Sequence, residues 1–227
     1  MTRRTGPAFA LSPSVQSIED KSNQLALYGE DLYGTTAEAR SKNLVKRAAQ
    51  HCGRPETNDI VELALGFEED IAIMHNGKLA AICFCFPSSW IPRERLGLSL
   101  ADIHRPVADS ENLVSSSDRI ANIMSDPTFV GFERSVWTLT NNSGSSNHPR
   151  NRVQKIPNSL EDLYFRLETQ TTEPLGDGLS SLFFVRVDVV PLLDIWEQHG
   201  PAICASVHSM SDAILDYKNL RHIKTLL

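Results

Sequence analysis

Apolar positions along this chain change period near Ile71. Upstream, Thr36 to Ala49 carries Leu44, Val45 and Ala48 on one helical face with Thr36 placed to cap, and Glu56 to Phe67 continues in helical character from a start at Asn58 or Asp59. From Ile71 the apolar runs Ile71–Met74 and Leu79–Phe86 flank His75-Asn76-Gly77-Lys78, and Asn-Gly between two such runs predicts a type I′ hairpin, because both residues tolerate positive φ. A helix follows from Ser110 to Ser125, turning Leu113, Ile120, Ile123 and Met124 inward, with Pro127 just beyond its end. Arg134–Thr140, Leu163–Gln170 and Leu182–Val190 read as strands, and Ile203–Leu215 as a closing amphipathic helix.

Two stretches lack this patterning. Residues 1–35 are polar and broken by Gly6, Pro7 and Pro13, which predicts a flexible N-terminal arm ahead of a single domain at 36–227. Asn141 to Asn151, a run of Asn, Ser, Gly and Pro, predicts a mobile surface connection. Strands joined by hairpins and long excursions, with helices before and after, give an α+β class: an antiparallel sheet packed on one side by helices. On the second long strand, Tyr164, Arg166, Glu168 and Gln170 share one polar face, which either lines a pocket or is solvated, as one side of many antiparallel sheets is.

Composition narrows the functions. At 227 residues, 41% hydrophobic and 22% charged, with a net charge of −6, the chain offers no electrostatic footprint for nucleic acid or an anionic membrane. Neither a signal-peptide core nor a span of about 20 apolar residues is present, so a cytoplasmic protein without membrane partners is expected. Four scattered cysteines, Cys52, Cys83, Cys85 and Cys204, do not make a disulfide framework, and period-two alternation puts Cys83 and Cys85 on one strand face as small buried hydrophobes. No phosphate-binding loop, dinucleotide fingerprint, His-Glu-x-x-His or Gly-x-Ser-x-Gly occurs. The other histidines do not fall at metal-chelating intervals.

The candidate chemistry centres on Pro87 to Asp109. There His104 follows an apolar run two residues before Pro106, in Ile103-His104-Arg105-Pro106-Val107. Pro87-Ser88-Ser89-Trp90, the Leu96-Gly97 pair and this Ile-His-x-Pro-Val resemble the signature of the haem-dependent oxidative N-demethylase family, which is dimethylamine monooxygenase-like. In the same order come Glu69-Asp70-Ile71, similar to the family's Gln-Glu-Asp; Arg134-Ser135-Val136-Trp137, similar to Arg-x-Asn-Trp; Arg166-Leu167-Glu168-Thr169-Gln170-Thr171, similar to Arg-x-Glu-Arg-Gln-Thr; and Tyr217-Lys218-Asn219-Leu220, similar to Tyr-Lys-Gly-Leu. Together they span Leu63 to Leu220.

The resemblance implies a PAS-like haem fold and a haem-dependent oxidase or monooxygenase acting on a small amine or amino-acid-like substrate. O2 would be the co-substrate, and a separate flavin and iron-sulfur reductase the electron donor. It marks His104 as axial ligand to the iron, with its second nitrogen bonded to Asp102 or a carbonyl. Haem b is expected, because no Cys-x-x-Cys-His exists to attach the macrocycle. Trp90 and Trp137 are pocket walls or core aromatics. Arg134, Arg93 and Arg95 are partners for haem propionates or surface residues. Glu168 either holds a protonated amine or pairs with Arg166 or Arg186. Two departures bear on the substrate: Val136 stands where the motif has Asn, and Thr169 where it has Arg. A haem-PAS sensor or binding module without turnover is the alternative function, and a haem-free descendant a third.

Overall fold

The computed structural model describes residues 2–151 and 156–227. Seven strands form a single sheet: β1 (Thr2–Arg3), β2 (Tyr33–Thr35), β3 (Asp70–His75), β4 (Lys78–Cys83), β5 (Phe132–Thr140), β6 (Tyr164–Pro174) and β7 (Ser180–Pro191), in the order β1-β5-β6-β7-β3-β4-β2. Every neighbouring pair is antiparallel. The β3–β4 hairpin turns as its Asn-Gly predicts, with φ of 49° at Asn76 and 71° at Gly77. Gly131, at φ 96°, opens β5; a Cβ there would lie 2.0 Å from the Thr172 carbonyl oxygen, so only glycine lets the strand close on β6.

The helices are α1 (Val15–Tyr28), α2 (Ala37–Ser41), α3 (Leu44–His51), α4 (Ile60–Leu65), α5 (Leu100–His104), α6 (Glu111–Ser125), α7 (Leu192–Ser209), α8 (Asp212–Tyr217) and α9 (Arg221–Lys224). Thr36 caps α2 through Ala39 N–H and Asp59 caps α4 through Val61 N–H, as their side chains predict. The single helix expected over 36–49 is two, because Asn43 takes a left-handed φ of 51° between them. The closing helix is longer than its pattern showed: α7 begins directly at the end of β7 and α8 follows as a separate turn. No described helix is long and apolar enough to cross a membrane.

Helices cover both faces of the sheet, whereas one covered face was expected. α2–α4 pack through Leu44, Val45, Leu63 and Phe67 onto Ile71, Ile73 and Phe184, and α7–α9 pack through Ile203, Val207, Leu215 and Ile223 beside Leu139 and Phe165. By strand alternation Phe184 and Phe165 lie on one face. The other face carries Ala72, Ile82, Phe84, Val185 and Val187, against Met124 of α6 and Leu100 and Ile103 of α5. Cys83 and Cys85 are free and buried in the first cluster.

The two unpatterned stretches also hold packed structure. Within 2–35, Ser14 caps α1, Leu32 is fully buried, and the buried Lys21 ammonium donates to the carbonyls of Ala64 (3.0 Å), Phe67 (2.9 Å) and Glu69 (2.6 Å). The 141–151 connection is fastened rather than loose. Asn147 N–H donates to Pro87 O and Ser89 N–H donates to Asn147 O, both at 2.9 Å, and buried His148 stacks on Tyr28 at 3.9 Å between centroids.

Candidate functional site

Register decides which predicted site residues meet. Arg134 pairs with Gln170, Val136 with Glu168 and Thr138 with Arg166 across β5–β6, so these side chains share one face; β7 continues that face with Val185 and Val187. It is the face covered by α5 and α6. The polar row is therefore interior. Arg166 is only 1% exposed, and Gln170 is buried beside it.

One hydrogen-bonded chain runs through the row. Arg134 Nε donates to Gln170 Oε1 at 2.6 Å, Gln170 Nε2 donates to Glu168 Oε2 at 2.9 Å, and Ser88 Oγ donates to Glu168 Oε1. Arg166 Nη2 donates to Phe86 O at 2.8 Å and stands 3.4 Å from Glu168 Oε1. With its oxygen taken by a guanidinium and its amide by a carboxylate, Gln170 has a fixed orientation. Arg134 spends only its Nε; among the described contacts its Nη1 and Nη2 groups make no hydrogen bond. Arg166 keeps two buried N–H groups, at Nε and Nη1, without a partner.

Glu168 is the electrostatic hub. Burial lowers the affinity of Arg134, Arg166 and Lys218 for their protons and the Glu168 charge opposes that loss in each; at the Tyr217 phenol, burial and Glu168 both push the pKa up. Lys218 Nζ also donates to Trp137 O at 2.7 Å, which docks α8 against the edge of β5. Asn219, standing where the family motif has Gly, takes the left-handed φ of 57° needed to stop α8, a conformation Asn tolerates. Arg95 sits near enough to lower the Tyr217 pKa.

His104 ends α5, which Ser99 caps through Asp102 N–H at 3.1 Å. Its Nδ1 donates to Leu100 O at 2.8 Å; a carbonyl only accepts, so the ring is the Nδ1–H tautomer and Nε2 holds a lone pair with no described partner. Asp102, the other acceptor considered, is occupied by Ser99 and Arg105. Burial lowers the His104 pKa, and the nearby Arg134 charge lowers it further, against the opposing Leu100 hydrogen bond. Burial and Arg134 thus both favour the neutral imidazole.

Trp90 belongs to this side: it meets Phe84 edge-on at 5.7 Å, in the apolar cluster holding Leu100 and Ile103. Trp137 does not. It pairs with Leu167, faces the opposite way from Val136 and stacks on Phe165 at 5.5 Å in the α7 cluster. Arg93 is spent in an exposed ion pair with Glu30. Of Glu168's expected partners, Arg166 is beside it, while Arg186 lies on the other face with Asp188 at 3.5 Å. The two departures separate in the same way: Val136 faces the site and Thr169 faces away.

Ser88, whose hydroxyl meets Glu168, was quoted within Pro-Ser-x-Trp without a role. Nothing local marks it, because its partner is 80 residues away. Two cavities of about 310 and 110 Å³ share Asp20, Phe86 and Ser145 next to α1, and neither is lined by His104, Arg134 or Glu168.

The fold and site thus define an α+β protein with a buried polar row on one sheet face and an anchored imidazole near it. The chain belongs to the family described as haem-dependent oxidative N-demethylase, alpha subunit-like, whose model matches residues 30–227. That description indicates a haem-dependent oxidoreductase, and its wording hints at a system of several subunits. Comparison with curated proteins finds no match.

Proposed function

We propose that the sheet and its helices form one PAS-like haem domain, which takes in β1, α1 and β2 as well as residues 36–227, and that it oxidatively demethylates a small N-methylated amine or amino-acid-like compound. The antiparallel sheet, with the first hairpin inserted beside its last strand, supports the fold reading. The observation that carries the function is the geometry of His104, with Nδ1–H held by Leu100 O and Nε2 unspent.

The donor set fits haem. Nε2 of His104 would hold the iron, and the helix-internal bond to Leu100 sets the ring orientation and raises its basicity. Phe84, Trp90, Val185, Leu100 and Ile103 supply an apolar wall. Arg134, oriented by Gln170 and with both terminal nitrogens unspent, suits a propionate carboxylate. Bound haem b supplies the iron at which O2 is reduced while the N-methyl carbon is oxidised. Overall, one N–CH3 compound, one O2, two electrons and two protons give the demethylated amine, formaldehyde and water. The electrons come from a separate flavin and iron-sulfur reductase.

The protein's own part is placement. Glu168 holds the protonated amine by a charge-assisted hydrogen bond, in competition with the surrounding cations, and Ser88 and Gln170 fix the direction its carboxylate faces. α5 and α6 pack over this face and reduce its contact with water, which strengthens these interactions.

The test is His104→Ala. Purified and loaded with haemin, the variant should lose most of its Soret absorbance and haem stoichiometry while keeping its circular dichroism spectrum. An unchanged Soret band at full stoichiometry would remove His104 as ligand.

A further inference from the structure

Asp70 is fully buried at the start of β3, yet it makes no hydrogen bond within the sheet through its side chain. Its carboxylate accepts the backbone N–H groups of Cys85, at 3.0 Å, and Phe86, at 2.8 Å. These are the residues where the chain leaves β4, whose last strand residue is Cys83. From here the backbone crosses to β6: Phe86 O receives Arg166 and Ser88 Oγ reaches Glu168. Asn147 then clasps the same turn on both sides of Ser88, through Pro87 O and Ser89 N–H.

We propose that Asp70 is a positioning residue of this site. By capturing two consecutive backbone N–H groups it sets the 85–88 turn, and that turn delivers one acceptor to Arg166 and one donor to Glu168. The inference rests on the reading of Glu168 as the carboxylate that holds the amine.

Three features favour this role over simple packing. A carboxylate is expensive to bury, and an aliphatic residue would fill the space without that cost. Burial pushes the Asp70 pKa up, and Lys21 and Arg166, both buried, oppose that rise, so Asp70 sits between the cation that fastens α1 and the cation beside Glu168. Its two acceptor bonds use different oxygens, Oδ1 for Cys85 N–H and Oδ2 for Phe86 N–H, so an amide in the same orientation keeps one of them and turns a donor toward the other. The neighbouring Glu69 does an analogous task on the other side, accepting Ala10 N–H at 3.0 and 3.2 Å. The Glu-Asp pair that the sequence offers as a motif is thus two clamps on backbone: one for the N-terminal segment and one for the turn bearing Ser88.

Asp70→Asn keeps the shape and replaces one acceptor oxygen by a donor, which opposes the incoming N–H groups. Two readouts on the haem-loaded protein test it. The first is binding of dimethylamine, the smallest secondary N-methylamine, followed by spectral titration. Asp70→Asn should weaken it about ten-fold, as should Ser88→Ala, and the double variant should be no weaker than Asp70→Asn alone, since Ser88 is already out of reach. The second needs no ligand: carbodiimide labelling of Glu168, read by peptide mapping, should accelerate in Asp70→Asn and in Ser88→Ala to a common rate that the double variant does not exceed.

A merely structural Asp70 would lower the melting temperature, leave both readouts at wild-type values below it, and let the Ser88→Ala effect add in full; that result overturns the proposal. Glu168→Gln separates the two ideas. If it binds dimethylamine as wild type does, the reading of Glu168 fails, and the labelling arm still decides on Asp70. Should Asp70→Asn not accumulate folded, hydrogen exchange in the wild-type protein replaces it. The Cys85 and Phe86 amides must then be among the slowest in the chain and stay slow in Ser88→Ala, and fast exchange at either amide overturns the proposal.

Discussion

The two faces of β6 are made from one strand and differ in how they hold together. Phe165 and Leu167 face the side of the α7–α9 cluster, where Phe165 stacks on Trp137 and the contacts around it are apolar. Arg166, Glu168 and Gln170 look toward α5 and α6, in an interior where every polar atom needs a partner. At these two positions the first face is held by packing. The second is a chain of specified donors and acceptors, and its unfinished ends are the Arg134 terminal nitrogens and the two free Arg166 N–H groups. Donors left over on such a face are where a water or a ligand can be held.

The comparison breaks first at Arg166. Removing one partner of a buried ion pair strands the other charge, and here it also strands Phe86 O. Arg166→Met should destabilise the protein by roughly 3 kcal/mol in urea denaturation, the low end of the usual range because two N–H groups are already unpaired. Adding Glu168→Gln should recover part of that loss. If Arg166→Met is neutral, the row is not an energetic unit.

Trp137 tests the opposite face. Trp137→Ala should cost about 2–4 kcal/mol in the same assay, because a half-buried indole leaves the Phe165 stack. Haem stoichiometry and dimethylamine affinity should stay at wild-type values, since the side chain points away from Glu168. Loss of haem at an unchanged fold would show that the cofactor uses both faces.

Part of this arrangement was legible and part was not, for identifiable reasons. The Asn76-Gly77 hairpin and the Thr36 and Asp59 caps are set by residues a few positions apart, so local chemistry announces them. The parity of Trp137 was equally readable: Arg134 and Trp137 are an odd number of residues apart on one strand and so cannot line one face. Of the two readings of Trp137, pocket wall or core aromatic, alternation with Arg134 on the site face favours the second. The burial of the polar row was not readable, because it depends on α5, α6 and the 85–88 crossing meeting β6 from far along the chain. The 141–151 segment shows the same limit. Its composition describes a turn-rich connection correctly, but the backbone bonds from Asn147 to Pro87 and Ser89 and the Tyr28–His148 stack leave no pattern in sequence.

The smallest effect falls on the two positions where this chain departs from the family motifs. Val136 is directly opposite Glu168 and half-buried on the site face; Thr169 is opposite Ser135 and Arg186 on the other. Restoring the motif residue should therefore act very differently at the two. Val136→Asn places an amide beside the carboxylate that already receives Ser88, Gln170 and Arg166, so its donor competes with the ligand amine and its acceptor can also hold that amine. The two tendencies oppose, and the net change in dimethylamine affinity should stay within about ten-fold, the worth of one ordinary hydrogen bond. Thr169→Arg adds a charge on the far side of the sheet, next to Arg186, and should leave amine affinity unchanged within error while shifting stability by about 0.5 kcal/mol or less. Spectral titration of both variants decides it. A larger effect from Thr169→Arg than from Val136→Asn would mean that amine binding reads the Phe165 face, and the division of labour between the two sides of β6 would have to be redrawn.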